Sequence, residues 1–218
     1  MATLSGGPNS GFSGKVGSVV GYYRLGKWVI RGLPRLSPKN KKGSVLQNVH
    51  RSRFAIIQRF LKPITYFVRT GFNLEARKKG NTAYNCANSY NLLNAFNERG
   101  ELDYSKTRVS SGVLAGAENA AVSFQDGHLV FTWSDNSMPL VTTRAILPMK
   151  DDQSMLLAYE PEQGDRFYML SGARRSACRE SLKIPALKSG TELHIWIAFI
   201  AADRESMSNS AYLGIVRI

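Results

Sequence analysis

The sequence predicts an α+β protein in two modules: a basic N-terminal module of arm, β-hairpin and helices over residues 1–100, then a β-sandwich over residues 101–218. Three observations carry this. Positive charge is concentrated at the front, where residues 1–80 hold 16 of the 29 Lys and Arg against one of the 16 acids, Glu75, leaving 13 basic and 15 acidic residues for the remainder. The apolar period changes from helical to alternating near residue 100. From Asp103 onward, short apolar runs recur between turn signals at the spacing of a sandwich.

Residues 1–13 are small and polar, with too little apolar surface to offset their own ordering, so they read as an arm that orders only when docked. From Lys15 the chain turns β-branched and aromatic. Val16, Val19, Val20, Tyr22 and Tyr23 lead into the turn Arg24-Leu25-Gly26-Lys27, and Trp28, Val29 and Ile30 follow, which predicts a hairpin ended by Gly32 and Pro34. A basic connector, residues 37–43, precedes a helix that starts at Ser44, where Gln47 three residues on completes a capping box. Its apolar stripe runs through Leu46, Val49, Ile57, Phe60, Leu61 and Ile64, with Phe54 on its flank and Arg51, Arg59 and Lys62 on the opposite side. Arg53 falls inside the stripe, where a charge needs a partner or must spread its stem over apolar surface; a structural salt bridge is expected, with a second interaction surface as the alternative. Pro63 bends or restarts the helix and Thr70-Gly71 closes it. A further helix is predicted over Asn81–Phe96.

The expected strands are Tyr104–Ser110, Ala120–Phe124, Leu129–Trp133, Met155–Tyr159, Arg166–Leu170, Arg179–Ile184, Leu193–Ala201 and Tyr212–Ile218. Their core is placed around Phe131, Trp133, Ile195, Ile197 and Phe199, with Trp196 on the other face of its strand.

No catalytic, cofactor-binding or metal-binding constellation is legible, so neither an enzyme nor a cofactor is expected. Gly21 to Lys27 has the spacing of a phosphate-binding loop, but Trp28 stands where Ser or Thr would hold magnesium and a strand follows where a helix is required. His50, His128 and His194 have no acid at triad spacing, and the pairs Asp151-Asp152, Glu160 with Glu162, and Asp203 with Glu205 read as solvated loop charges. Cys86 and Cys178 imply no disulfide framework. Without a leader pattern or an apolar run long enough to span a bilayer, synthesis in the cytoplasm is expected, with incorporation into a virion or released particle left open.

Two resemblances bear on this. Leu187 to Leu193 with the following His-Ile-Trp-Ile-Ala-Phe run, and Trp133 ending an early strand, resemble fibronectin type III domains, which implies an immunoglobulin/fibronectin type III-like sandwich. The whole chain resembles an uncharacterised family of Bacteroidetes proteins through Gly14-Lys15-Val16-Gly17, residues 30–34, Gln47 with Arg51 and Phe54, residues 90–95, residues 109–112 and residues 209–214. The N-terminal pattern also looks like segments of tailed-phage structural proteins, which implies a role in assembly.

The leading functional expectation is a noncatalytic structural or adaptor protein acting through other protein subunits, its own copies or different ones. The alternative is a nucleic-acid-binding module. Both draw on the same candidates: Lys15, Arg24, Lys27, Arg31, Arg35, Lys39, Lys41, Lys42, Arg51, Arg59 and Lys62 as anion or assembly contacts, with Tyr22, Tyr23 and Trp28 as apolar or stacking faces. A carbohydrate-binding sandwich is a third reading.

Overall fold

The computed structural model describes residues 3–4, 11–34, 43–137 and 147–218. The class is α+β, with helices and three antiparallel sheets arranged in two compact units, Met1–Val49 and His50–Ile218. The break in charge and periodicity expected to separate modules near residue 100 lies inside the second unit.

The first unit contains an antiparallel sheet of β1 (Thr3–Leu4), β2 (Phe12–Val16), β3 (Val19–Arg24) and β4 (Lys27–Gly32), in that order. The expected hairpin is β3–β4, reversed at Leu25 and Gly26, whose φ values of 49° and 79° suit a two-residue turn matched to strand twist. The arm is shorter than expected, because Phe12 and Ser13 already belong to β2. Gly21 makes that pairing possible: a Cβ there would overlap the ring and carbonyl of Phe12. The connector from residue 35 to 42 lies outside the described residues.

Helix α1 (Val45–Leu61) starts as expected, with the Gln47 amide donating to Ser44 Oγ at 3.2 Å and the Ser44 amide to Gln47 Oε1 at 3.0 Å. Its second half lies in the second unit, where Ile57, Phe60 and Leu61 are buried. Among the described residues Arg53 takes no salt bridge; its guanidinium lies 5.2 Å from the centre of the Phe96 ring. Pro63 separates α1 from α2 (Thr65–Gly71). Helix α3 (Asn73–Lys79) has no counterpart in the sequence reading. It buries only Ala76, so it has no apolar stripe, and it is supported by Glu75–Lys79 pairing, by three basic residues in its last turn and by Gly80 in the left-handed conformation. Helix α4 (Ala83–Asn94) is capped by Thr82, whose hydroxyl accepts from the Asn85 amide.

The segment expected as a strand at Tyr104–Ser110 is instead a 3-10 turn at Tyr104–Lys106 followed by irregular backbone. Asp103 accepts from the Ser105 amide and hydroxyl, and this local bonding outcompetes a ladder. The remaining expected strands form as β5 (Glu118–Gln125), β6 (His128–Ser134), β7 (Gln153–Tyr159), β8 (Arg166–Met169), β9 (Arg179–Lys183), β10 (Glu192–Ile200) and β11 (Ala211–Arg217). They make a three-stranded sheet ordered β5-β6-β9 and a four-stranded sheet ordered β11-β10-β7-β8.

Strand β10 organises the second unit because both of its faces are covered. Leu193, Ile195, Ile197 and Phe199 join Leu129, Phe131 and Trp133 of β6 in one apolar cluster. Trp196, Ala198 and Ile200, with Met155, Leu157 and Tyr159 of β7, face the other way into a second cluster with Ile57, Phe60, Phe67, Val68 and Phe72. The unit is therefore layered, with helices on one face of the four-stranded sheet and the three-stranded sheet on the other. Two acids expected as solvated loop charges are buried. Asp152 meets Arg175, and the Glu160 carboxylate accepts from the amides of Glu162 and Gln163 at 2.7 and 2.6 Å. Arg175 was not anticipated: fully buried, it donates to Asp152, Asn136 and the carbonyls of Ala115 and Gly116, and sits 3.9 Å from the centre of the Phe199 ring.

Candidate docking surface and cavities

Strand register divides the residues of the N-terminal sheet between two faces. Gly14 pairs with Gly21 and Gly21 with Ile30, while Val16 pairs with Val19 and Tyr23 with Trp28. With side chains alternating along each strand and paired residues sharing a face, one face carries Phe12, Val16, Val19, Tyr23, Trp28 and Ile30 together with Gly14, Gly21 and Gly32. It holds no charged residue. The other carries Lys15, Arg24, Lys27 and Arg31, with Ser13, Val20, Tyr22 and Val29 among them.

Much of the uncharged face is exposed. Tyr23 and Ile30 are each 60% exposed, Trp28 and Val16 are also exposed, and the Tyr23 and Trp28 rings meet edge to face with centroids 5.2 Å apart. In the first turns of α1, Val45, Leu46 and Val49 are also exposed, although Leu46 and Val49 belong to the stripe expected to be buried. Through residue 49 the first unit has eight Lys and Arg and no acid, so its apolar surface is framed by one sign of charge.

Of the expected contact residues, the sheet gathers Lys15, Tyr22, Arg24, Lys27 and Arg31 on one face and puts Tyr23 and Trp28 on the opposite one. Arg35, Lys39, Lys41 and Lys42 lie outside the described residues. Arg51, Arg59 and Lys62 are exposed in the second unit. Arg59 lines a cavity of about 340 Å³ walled by Phe60, Tyr104 and Tyr159. A second cavity of about 420 Å³ is lined by Arg77, Lys78, Arg108 and Val113, with Glu75 and Glu205 also present. Sequence reasoning missed both, since their walls come from segments up to about a hundred residues or more apart.

The histidines do not converge. His128 Nδ1 lies 2.9 Å from the Asp126 carbonyl, whereas buried His194 stacks on Tyr104 at 3.9 Å with its Nδ1 2.7 Å from the Tyr212 hydroxyl. Burial lowers the His194 pKa. Cys86 and Cys178 are both free thiols, and burial raises the pKa of Cys86. Among the described residues no cluster of three or more His, Cys, Asp or Glu is placed to hold a metal, and no helix is long and apolar enough to cross a membrane.

Neither the curated proteins nor the solved structures contain a match to this chain. A family model does match, over residues 11–214, and so takes in the N-terminal sheet from Gly11, the helices and both C-terminal sheets. The chain belongs to the family of unknown function DUF6266.

Proposed function

We propose that the protein is a noncatalytic structural or adaptor protein that docks on another protein through its N-terminal sheet. The observation that carries this reading is the sheet's division into an exposed aromatic, uncharged face and a face with four cations. An apolar patch rimmed by polar residues marks an interaction site more often than chance exposure. Strand β4 is an edge of the sheet among the described residues, and such an edge offers its free amides and carbonyls to an added strand.

The charge pattern favours a partner over a second copy. Antiparallel pairing of β4 with another β4 about Val29 would set Lys27 opposite Arg31, and like charges directly opposed destabilise a ladder. The occupant that fits is an acidic strand with carboxylates on one face and apolar residues on the other. In the second unit, we read the strand orders β5-β6-β9 and β11-β10-β7-β8 as those of an immunoglobulin/fibronectin type III-like sandwich, the projecting part of the adaptor. A neighbouring subunit of a phage-like or other multi-subunit particle would suit such a division of labour.

Binding of single-stranded nucleic acid is the second reading, supported by the cationic face around Tyr22. It draws less from the structure, because Tyr23 and Trp28 stand on the face opposite the cations and cannot stack bases whose phosphates lie there. The test uses the full chain against a panel of β-hairpin peptides carrying Glu-Val-Glu or Lys-Val-Lys edge strands, and against single-stranded DNA, at low and moderate salt. The proposal requires saturable binding of the acidic hairpin alone, weakened roughly tenfold by Lys27→Glu with Arg31→Glu and by Trp28→Ser with Ile30→Ser. Binding of DNA but of no hairpin, or equal binding of both hairpins, overturns it.

A further inference from the structure

The cavity beside Arg59 lies wholly within the second unit and is independent of the docking surface. Its walls are mostly apolar. Phe60 meets Tyr104 and Tyr159 edge to face at centroid distances of 5.5 and 5.4 Å, and Leu102 and Pro161 complete the wall. At about 340 Å³ it falls at the small end of ligand pockets, enough for one ring or a branched alkyl group.

Its polar residues are Arg59, Tyr104, Tyr159 and Glu162, the first three able to donate a hydrogen bond. Tyr159 is 2% exposed as a residue, its ring packed on Phe60 and Tyr104, and it reaches the cavity wall. Tyr104 stands in the same wall. Burial pushes the Tyr104 phenol up to about 12 and raises that of Tyr159, so both keep their protons at neutral pH. Arg59 makes no ion pair among the described residues, and its positive charge and the negative charge of Glu160 both act on both phenols. Two tyrosines and an arginine thus line one space. Glu162, also at the cavity, offsets part of the charge of Arg59 and disfavours a dianion such as a phosphate monoester.

We propose that this cavity binds a small organic monocarboxylate, its carboxylate held by Arg59 and the hydroxyls of Tyr104 and Tyr159 and its aromatic or branched apolar body lodged against Phe60, Leu102 and Pro161. A guanidinium with two hydroxyl donors matches the acceptor-only chemistry of a carboxylate, and the dry wall strengthens each bond.

The test is a titration of the full chain with 3-phenylpropionate and 4-methylpentanoate, followed by calorimetry and by tyrosine side-chain NMR. Neutral 3-phenylpropanol, propionate and phenyl phosphate serve as controls. Saturable binding of at least one of the two carboxylates is expected, roughly tenfold or more tighter than that of any control. Arg59→Gln, at an exposed position, and Tyr159→Phe, which keeps the ring, should each weaken it about tenfold with thermal unfolding otherwise normal. If neither carboxylate saturates, if the alcohol binds as well, or if Arg59→Gln binds undiminished, the proposal fails. Should Tyr159→Phe misfold, the Arg59→Gln comparison decides alone.

Discussion

The carboxylate of Asp152 and the guanidinium of Arg175 meet at 3.1 Å with both side chains withdrawn from solvent, 23 positions apart in the chain. Asp152 also accepts from the Met149 amide, while Arg175 ties down the carbonyls of Ala115 and Gly116 and its own carbonyl accepts from the Trp133 indole at 2.7 Å. One buried pair therefore fastens four separate loops and strand ends together.

Removing one partner leaves the other charged, buried and uncompensated. Asp152→Ala should lower unfolding stability by about 3–5 kcal/mol in a urea titration. Arg175→Met should do at least as much damage, because it also strips donors from two carbonyls. The double variant should lose clearly less than the sum of the two. A change within about 1 kcal/mol for Asp152→Ala would show that water reaches the site and solvates Arg175.

Because Trp196, Leu157 and Tyr159 face the helices rather than solvent, a fragment spanning residues 102–218 would uncover that whole face of the four-stranded sheet. Each such side chain contributes about 1.5–3 kcal/mol by burial, so the loss exceeds what a domain of this size can absorb. The fragment should aggregate or bind a hydrophobic dye without a cooperative transition, whereas residues 50–218 should unfold cooperatively. A cooperative melt of 102–218 with full near-ultraviolet dichroism would count against the helices as part of the core.

His194 gives a pH dependence of known sign. Its folded pKa is depressed below 6.5 by burial, so the folded state binds a proton less readily than the unfolded chain. Its contribution is complete above about pH 6.5 and is lost as pH falls through the folded value. Melting temperature should therefore drop between neutral pH and pH 5, well before carboxylates with lowered pKa values such as Glu75 and Asp103 titrate. His194→Gln should flatten the profile in that window while keeping the later acid limb. An unchanged slope in the variant would assign the effect to other groups.

What could be read from the sequence alone was local. The turn at Leu25-Gly26, the Ser44–Gln47 cap, the break at Pro63 and seven of the eight strand runs follow from φ preferences, orphan amides and alternation within a few residues of one another. The concentration of cations in the first eighty residues and the aromatic content of β3 and β4 were equally plain. Register separated what the linear order had interleaved: pairing Tyr23 with Trp28 and Arg24 with Lys27 sorted aromatics and cations onto opposite faces. Tertiary packing decided the rest. Tyr104 became a cavity wall instead of a strand residue because Asp103 bonded locally and Phe60 supplied a ring to pack against. Helix α3 formed without an apolar stripe, Asp152 found Arg175, and the outer face of β10 was buried by helices more than a hundred residues earlier. Each depends on which distant surfaces meet, and the free energy of those meetings is written in pairs of residues that no local window contains.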